Sequence, residues 1–268
     1  MKTFKRNTQL VVSPMPATRR LMISVPMTGI VRSEWMLARY GQTIPCNWSQ
    51  VEIFHWMDSY SPMGFQVADA RNVAVDHFIK EKFEWLFFID HDVVLPHNCF
   101  IALNDYMMKK DYPPIFGGVY FTRSVPSEPL MYRGRGNGYV RGWHFGDKVW
   151  VDAMGMGCHM IHRSILEQTW KESSEYMVGG HMVRQVFETP SQTYYDAEKA
   201  TWFSVGGTED ITFYTRLIKD RILEKAGWKK YQKMQYPYLC DTSLFCKHID
   251  MNGVQYPAGG EERPYLRK

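Results

Sequence analysis

An unbroken apolar run followed by two carboxylates constrains the fold of this chain more than any other feature. The run is Trp85–Ile89, and Asp90-His91-Asp92 follows it directly. An apolar run of this length is typical of a strand buried on both faces, as in a parallel sheet. Because ligands of open α/β sheets bind just outside the carboxyl ends of strands, the sequence predicts that Asp90 and Asp92 lie at a binding site.

The two carboxylates have two interpretations. Asp90 and Asp92 repel each other unless a positive group joins them. A divalent cation that carries a phosphorylated ligand would join them. Asp is also common at helix N-caps, so an acidic turn before the next helix explains the same residues. The local pattern leaves both interpretations open.

The first 110 residues alternate between strand-like and helix-like patterns. The sequence predicts strands at 21–25, 51–55 and 85–89, and helices at 34–40, 70–82 and 98–110. This alternation is the signature of a parallel sheet with right-handed crossovers. We therefore predict an α/β fold in which a mainly parallel central sheet is flanked by helices.

The second half of the chain has a less regular pattern. Further strands are predicted at 115–121, 149–152 and 235–246, and a helix at 164–170. Another helix begins at Thr208, because Glu209 and Asp210 in its first turn favour the helix dipole. We expect loops, or loops with a hairpin, at 123–148, and a mobile or acceptor-facing loop at 171–205.

The composition indicates a folded protein in a reducing compartment. The chain has 268 residues, of which 45% are hydrophobic, enough for one large domain. Its 32 basic and 28 acidic residues leave a mild positive excess, which does not by itself indicate nucleic-acid binding. The five cysteines include no CxxC pair and are predicted to be free thiols. No apolar run reaches the ~18 residues of a membrane span, so we expect a cytoplasmic protein.

Several motifs occur in an order that resembles one family. They are Val25-Pro26, Ala70-Arg71-Asn72, Asp90-His91-Asp92, the Met-Gly-Met-Gly run within 151–157, Gly207-Thr208-Glu209-Asp210 and His248. Together they resemble the GT-A glycosyltransferases, most closely the inverting family 2 type. The resemblance covers roughly residues 20–250, and segments 123–148 and 171–205 depart from it.

The resemblance implies a GT-A (nucleotide-diphospho-sugar transferase-like) fold and a domain organisation. Residues 1–18 are expected to form a flexible arm, 19–250 the glycosyltransferase domain, and 251–268 a C-terminal tail. Within the domain, the nucleotide-binding half spans about 19–112 and the acceptor-binding half about 113–250.

The resemblance also assigns roles to residues. Asp92 and His248, with Asp90, are the implied ligands of Mn²⁺ or Mg²⁺. Asp210 is the implied catalytic base, with Glu209 as second choice, although Asp210 also suits a helix N-terminus. The implied nucleotide and donor contacts are Pro26, Met27, Thr28, Arg71, Asp90, Asp92, Gly155 and Gly157.

Three of these residues have simpler explanations, and that for His248 is an ordinary surface histidine. Arg71 can contact a diphosphate through its guanidinium fork, or it is a surface arginine at a helix start. Gly155 allows the backbone to approach a ligand closely, or belongs to a glycine-rich turn.

The implied function is a metal-dependent inverting glycosyltransferase. Its donor would be a nucleotide sugar, with a UDP-sugar as first choice, and its acceptor a glycan or a modified DNA base. A catalytically silent binding module and a nucleotidyltransferase are the alternatives; the latter has less support, because no basic, glycine-rich phosphate loop follows the first strand. Segment 131–145, rich in Arg, Gly and aromatic residues, could contact nucleic acid or a sugar chain, or could be a solvated loop.

Overall fold

The structure is a computed structural model that describes residues 20–109, 111–260 and 266; for Gln192, Phe203 and Val205 it describes the backbone alone. The predicted arm at 1–18 lies outside the described residues, as does part of the predicted tail at 251–268. The predicted domain boundaries stay a prediction.

Eight helices are assigned within the described residues: α1 (Ser33–Tyr40), α2 (Gln50–Met57), α3 (Val67–Lys80), α4 (Cys99–Met108), α5 (Arg163–Lys171), α6 (Glu209–Lys219), α7 (Ile222–Lys225) and α8 (Lys229–Gln232). The strands of the first half are β1 (Leu21–Ser24), β2 (Trp85–Ile89), β3 (Val93–Val94), β4 (Ile115–Val119) and β5 (Met131–Tyr132). Those of the second half are β6 (Lys148–Val151), β7 (Ala153–Met154), β8 (Cys158–His162), β9 (Glu175–Val178), β10 (His181–Arg184), β11 (Ser191–Asp196), β12 (Thr201–Gly206), β13 (Tyr238–Phe245), β14 (Lys247–Ile249) and β15 (Gln255–Tyr256).

The central sheet is mixed, with six strands in the order β1-β2-β8-β4-β13-β6. β1 pairs with β2, and β4 with β13, in parallel. β8 runs antiparallel to both of its neighbours, and β6 runs antiparallel to β13. The prediction of a GT-A fold with a mainly parallel central sheet is therefore wrong. The fold is mixed α/β, and two antiparallel hairpins, β9–β10 and β11–β12, lie outside the sheet.

The predicted second strand is a helix, which removes one of the three strands on which the parallel prediction rested. Segment 51–55 lies within α2, whose N-terminus carries a capping box. The Ser49 hydroxyl accepts a hydrogen bond from the backbone N–H of Glu52, and the Glu52 carboxylate accepts one from the N–H of Ser49. These two bonds satisfy amide groups that have no partner within the helix.

The central strand β2 has apolar layers on both faces, as the sequence predicts. All five of its residues are fully buried. Leu86 and Phe88 belong to a cluster with residues of α3, α5 and α6, whereas Trp85, Phe87 and Ile89 belong to a cluster with residues of α1, α2 and α4. Because both faces are packed, the carboxyl end of β2 is a rigid base for the residues that follow it.

A small second sheet brings the C-terminal part of the chain to this end of β2. Its strand order is β15-β14-β3, and His248 in β14 lies opposite Val93 in β3. Part of the predicted tail is thus a strand, β15, paired with β14. Segment 171–205, predicted as a loop, contains β9, β10 and β11 and the start of β12. None of the helices in the described part of the chain has the length and apolar character needed to cross a bilayer.

Candidate active site

The turn after β2 is fixed by hydrogen bonds to three parts of the chain. The backbone N–H of Asp90 donates to the Gly157 carbonyl over 3.1 Å, and that of Val93 donates to the Asp90 carbonyl over 3.0 Å. The indole N–H of Trp35 in α1 donates to the same Asp90 carbonyl over 2.9 Å. With its backbone held in this way, the turn presents the side chains of Asp90 and Asp92 to different partners.

Asp90 is paired with a buried arginine. Arg71 in α3 is 1% exposed and donates from Nη2 to Asp90 Oδ1 over 2.9 Å and from Nε to Glu209 Oε1 over 3.2 Å. Burial by itself lowers the pKa of Arg71, but Asp90 and Glu209 outweigh it and hold that pKa above its ordinary value. Arg71 is therefore an internal cation that joins the β2 turn to α6, rather than a surface arginine. Its Nη1 has no hydrogen-bond partner among the described residues.

Asp92 faces the ring of His248. The distance from Asp92 Oδ2 to His248 Nε2 is 3.3 Å. His248 Nδ1 lies 2.7 Å from the Phe121 carbonyl oxygen, to which it can donate, and this bond leaves the lone pair on Nε2. Burial lowers the pKa of His248 more than the bond to Phe121 raises it, which favours the neutral ring. A neutral imidazole beside a carboxylate is a ligand pair for a divalent metal ion.

The guanidinium of Arg123 contacts both members of this pair. Its Nε donates to His248 Nε2 over 3.1 Å, and its Nη2 is in contact with Asp92 Oδ2. Arg123 belongs to the loop after β4 and was not among the predicted site residues. An arginine within a loop carries no local signal that could identify it as a partner of Asp92.

Two of the three predicted metal ligands fit a cation. Adjacent ligands of an octahedral ion, each at 2.0–2.1 Å, are about 3 Å apart, close to the Asp92–His248 separation. Asp90 Oδ1 accepts from Arg71, and a role for Asp90 as a third ligand stays a prediction. No group of three or more His, Cys, Asp or Glu residues suited to a metal ion occurs in the described part of the chain. Asp92 and His248 would therefore leave most coordination positions to a ligand and to water.

A cavity of about 220 Å³ lies against the two carboxylates. The predicted residues Pro26, Met27 and Thr28 line it, together with Asp90 and Asp92. Phe65, Val67 and His91 also line it and were not among the predicted site residues, although His91 lies within the Asp90-His91-Asp92 motif. A larger cavity, of about 390 Å³, is lined by other residues, among them His55 and His77. We place the site at the smaller cavity because Asp90 and Asp92 form part of its wall.

The wall at Phe65 is supported by the turn between β9 and β10. A Cβ atom on Gly179 would lie 2.4 Å from Phe65 Cε1, so the ring packs directly against the backbone of this turn. Gly179 also has a φ of +52°, a conformation that side chains other than glycine rarely adopt. His181 contacts the same ring edge-on, with centroids 6.4 Å apart. The hairpin thus positions an aromatic ring in the cavity.

Asp210 differs from its neighbour Glu209 in its partners. Its Oδ1 accepts from the backbone N–H of Ile211 over 2.8 Å and from the hydroxyl of Thr208, both neutral groups. Burial, and secondly the charge of Glu209, raise the pKa of Asp210 above its ordinary value. A carboxylate with a raised pKa accepts a proton more readily, as a general base must. Glu209 is instead engaged by Arg71.

The predicted donor-binding glycines lie against protein atoms. A Cβ on Gly155 would lie 2.3 Å from the hydroxyl oxygen of Tyr120, and one on Gly157 would lie 2.6 Å from Val93 Cγ2 and 3.1 Å from Asp90 Oδ2. The Gly157 N–H donates to the Tyr120 hydroxyl over 3.1 Å. These glycines therefore make room for Tyr120 and Asp90, and their contact with a donor stays a prediction.

Comparison with protein-family models and with curated protein sequences gives no match. The chain is similar in structure to a protein described as A197 from STIV, whose crystal structure superposes with a TM-score of 0.51. The two are 16% identical in sequence, and the match covers 93% of this chain and 95% of the other. At this identity the likeness concerns the fold alone.

Proposed function

We propose that this protein is a metal-dependent, inverting glycosyltransferase. The observation that carries the proposal is that Asp92, at the wall of a cavity, lies 3.3 Å from His248 Nε2, the ring nitrogen that bears the lone pair. These two residues are far apart in the chain, and both are types that bind Mn²⁺ or Mg²⁺. The proposal rests on the site and not on a fold family.

The donor we propose is a nucleotide sugar, a UDP-sugar first, with the nucleoside against Pro26, Met27 and Thr28. Asp92 and His248 would hold the cation, with Asp90 fixed beside them by Arg71. When bound, a divalent cation neutralises the charge that develops on a departing diphosphate. Arg71 pairs with two carboxylates, so its proposed role is to orient Asp90 and Glu209.

The proposed base is Asp210, with Glu209 as second choice. The acceptor hydroxyl forms a bond to the anomeric carbon while the bond from that carbon to the diphosphate oxygen breaks. The electron pair leaves with the diphosphate, and the hydroxyl proton passes to Asp210. The raised pKa of Asp210 and its neutral partners support this role. Glu209 is less suited, because its charge is already compensated by Arg71.

The proposed acceptor is a glycan and, as second choice, a modified DNA base. We propose a cytoplasmic enzyme, which is supported by the free thiols of Cys46, Cys99, Cys158, Cys240 and Cys246.

The first experiment is a thermal-shift screen of nucleotide sugars with Mn²⁺, followed by a product assay. A ligand at 100 times its Kd stabilises the folded protein by about 2.7 kcal/mol, which is readily measured. We expect donor hydrolysis to release a nucleoside diphosphate. Asp92→Asn and His248→Ala should abolish the Mn²⁺-dependent part of the shift, whereas His144→Ala, at an exposed histidine, should retain it.

The products separate the proposal from its alternatives. Donor binding without turnover under any acceptor condition would indicate a silent binding module. Release of pyrophosphate from a nucleoside triphosphate would indicate a nucleotidyltransferase. Unchanged Mn²⁺ dependence in both Asp92→Asn and His248→Ala would contradict the proposed cation site.

A further inference from the structure

Arg123 occupies the position at which the proposed cation would bind. Its Nε donates to His248 Nε2 over 3.1 Å, and its Nη2 contacts the Asp92 oxygen that faces the same histidine. We infer that Arg123 is a built-in competitor for the divalent cation, so that the guanidinium must leave Asp92 and His248 before a metal ion can bind them. This inference rests on the proposed function, because it concerns the same two ligands.

The arginine-bound and the metal-bound states of His248 exclude each other, because both need the same lone pair of the ring. His248 Nδ1 is committed to the Phe121 carbonyl over 2.7 Å, so a neutral ring has one free lone pair, on Nε2. The N–H of Arg123 Nε points at that lone pair. A metal ion bound to His248 would need it as well. The guanidinium and the cation therefore cannot share this histidine.

Arg123 can leave without disturbing the core. Its side chain is 42% exposed, in contrast to Arg71 at 1%. The loop that carries Arg123 is closed by its own hydrogen bonds: the N–H of Thr122 donates to the Glu128 carbonyl, and the N–H of Glu128 donates to the Thr122 hydroxyl, each over 2.9 Å. A change of side-chain rotamer is therefore sufficient, and the backbone of the loop can stay in place.

The charges at the site explain what the competition between Arg123 and the divalent cation could achieve. Arg71 pairs with Asp90, and Arg123 gives Asp92, two residues further on, a positive partner of its own. The guanidinium supplies one positive charge in the absence of metal, and a divalent cation supplies two. Once displaced, an arginine beside a bound diphosphate can pair with it through its planar fork. Arg123 is thus placed to neutralise Asp92 in the metal-free site and to be displaced when the cation and the donor bind.

The test measures Mn²⁺ affinity directly, by titration calorimetry or by the electron paramagnetic resonance of free Mn²⁺, without substrate. Arg123→Ala should bind Mn²⁺ about tenfold more tightly than the wild type, because a competing state that lowers the fraction of open sites is removed. Lys247→Gln is the matched control. It removes one positive charge beside His248 but on the other face of β14, since successive residues of a strand point to opposite faces. Its affinity should stay within about threefold of the wild type.

A second readout follows the guanidinium itself. In the wild type, the Arg123 Nε–H signal in a ¹⁵N correlation spectrum should be protected from exchange and should lose that protection when diamagnetic Mg²⁺ is added. Arg123→Ala identifies the signal by its disappearance. The double variant Arg123→Ala with His248→Ala should lose the tightened Mn²⁺ binding, which assigns that binding to the site.

The outcomes distinguish the inference from the proposed function. Equal Mn²⁺ affinity in the wild type and Arg123→Ala, lost in both on His248→Ala, overturns the inference and leaves the metal site in place. A gain in Lys247→Gln as large as in Arg123→Ala also overturns it, since a general charge effect would then be sufficient. No Mn²⁺ binding in any variant overturns both the inference and the proposed metal-dependent function.

Discussion

Arg71 in α3 donates a hydrogen bond from Nε to Glu209, the first residue of α6, over 3.2 Å. This contact separates the roles of two acidic neighbours. Glu209 has its charge compensated by a buried cation. Asp210, one residue later, is hydrogen-bonded by the neutral groups of Thr208 and Ile211 and has a raised pKa. Because a carboxylate that is not hydrogen-bonded to a cation is the better proton acceptor, the contact favours Asp210 as the base.

Exchange of each carboxylate for its amide tests this assignment. Asp210→Asn should lower turnover by about 10²–10⁴-fold, the usual contribution of a positioned general base. Donor affinity should change little, because the base does not contact the diphosphate. Turnover and donor binding are measured for Asp210→Asn beside Glu209→Gln. Near-normal turnover in the first variant with collapse in the second would move the role to Glu209.

The raised pKa of Asp210 also predicts how stability depends on pH. An acid with a raised pKa in the folded state stabilises the fold below its ordinary pKa of 3.8 and loses that contribution as the pH rises through the folded value. At neutral pH the charged, desolvated carboxylate therefore opposes folding. Asp210→Asn should raise the Tm at pH 7 to 8, and the gain should vanish near pH 3.5. Melting curves at several pH values check this, and a gain that is independent of pH would contradict it.

Loss of the buried guanidinium should destabilise the protein strongly. Arg71→Met keeps much of the side-chain volume but leaves Asp90 and Glu209 without their shared cation. Removal of one partner of a buried ion pair costs about 3–5 kcal/mol. Lys80→Met is the control in the same helix, because Lys80 pairs with Asp76 at the surface. Exposed pairs of this kind contribute about 0.3–0.5 kcal/mol. Urea denaturation of both variants measures the difference, and similar losses would refute the internal role of Arg71.

Gly155 should not tolerate a methyl group. In Gly155→Ala the new Cβ would meet the hydroxyl of Tyr120, a residue that is only 5% exposed. Overpacking of this kind costs about 1–3 kcal/mol. Gly138→Ala is the control, since a Cβ there has no atom within 4 Å and its φ is unremarkable. The free energies of unfolding of the two variants should differ accordingly. A neutral Gly155→Ala would show that Tyr120 moves.

Phe65 should contribute to nucleotide affinity. Its ring lines the cavity beside Asp90 and Asp92 and is held there by the turn at Gly179. Stacking of a base on an aromatic side chain contributes about 1–3 kcal/mol, so Phe65→Ala should weaken nucleoside diphosphate binding by about tenfold or more. Phe54→Ala, at a ring that is 61% exposed on α2, should leave affinity unchanged. Equal affinities in the two variants would exclude stacking on Phe65.

The sequence predicted local features well where a single segment decides them. β2 was placed correctly because five consecutive apolar residues need partners on both faces. The start of α6 was placed within one residue because Glu209 and Asp210 favour a helix N-terminus. The error at 51–55 was avoidable, because Ser49 and Glu52 have the spacing of a capping box. Apolar composition alone does not distinguish a short helix from a strand.

The order and direction of the strands could not be predicted in the same way. β8 lies between β2 and β4 and is antiparallel to both. An apolar strand has the same composition in either direction, so its pattern contains no information about its neighbours. The prediction of a mainly parallel sheet rested only on the alternation of strands and helices. That alternation does not fix the direction in which β8 enters the sheet.

By itself, the sequence determined which residue types could perform chemistry and which segments would be buried, since both follow from side chains and their local spacing. The tertiary structure decided how the charges are shared: Arg71 pairs with Asp90 and Glu209, Arg123 with Asp92 and His248, and Asp210 receives no such partner among its hydrogen bonds. These residues are distant in the chain. Coulomb energies depend on separation in space and on desolvation, and both are fixed only when the strands have packed.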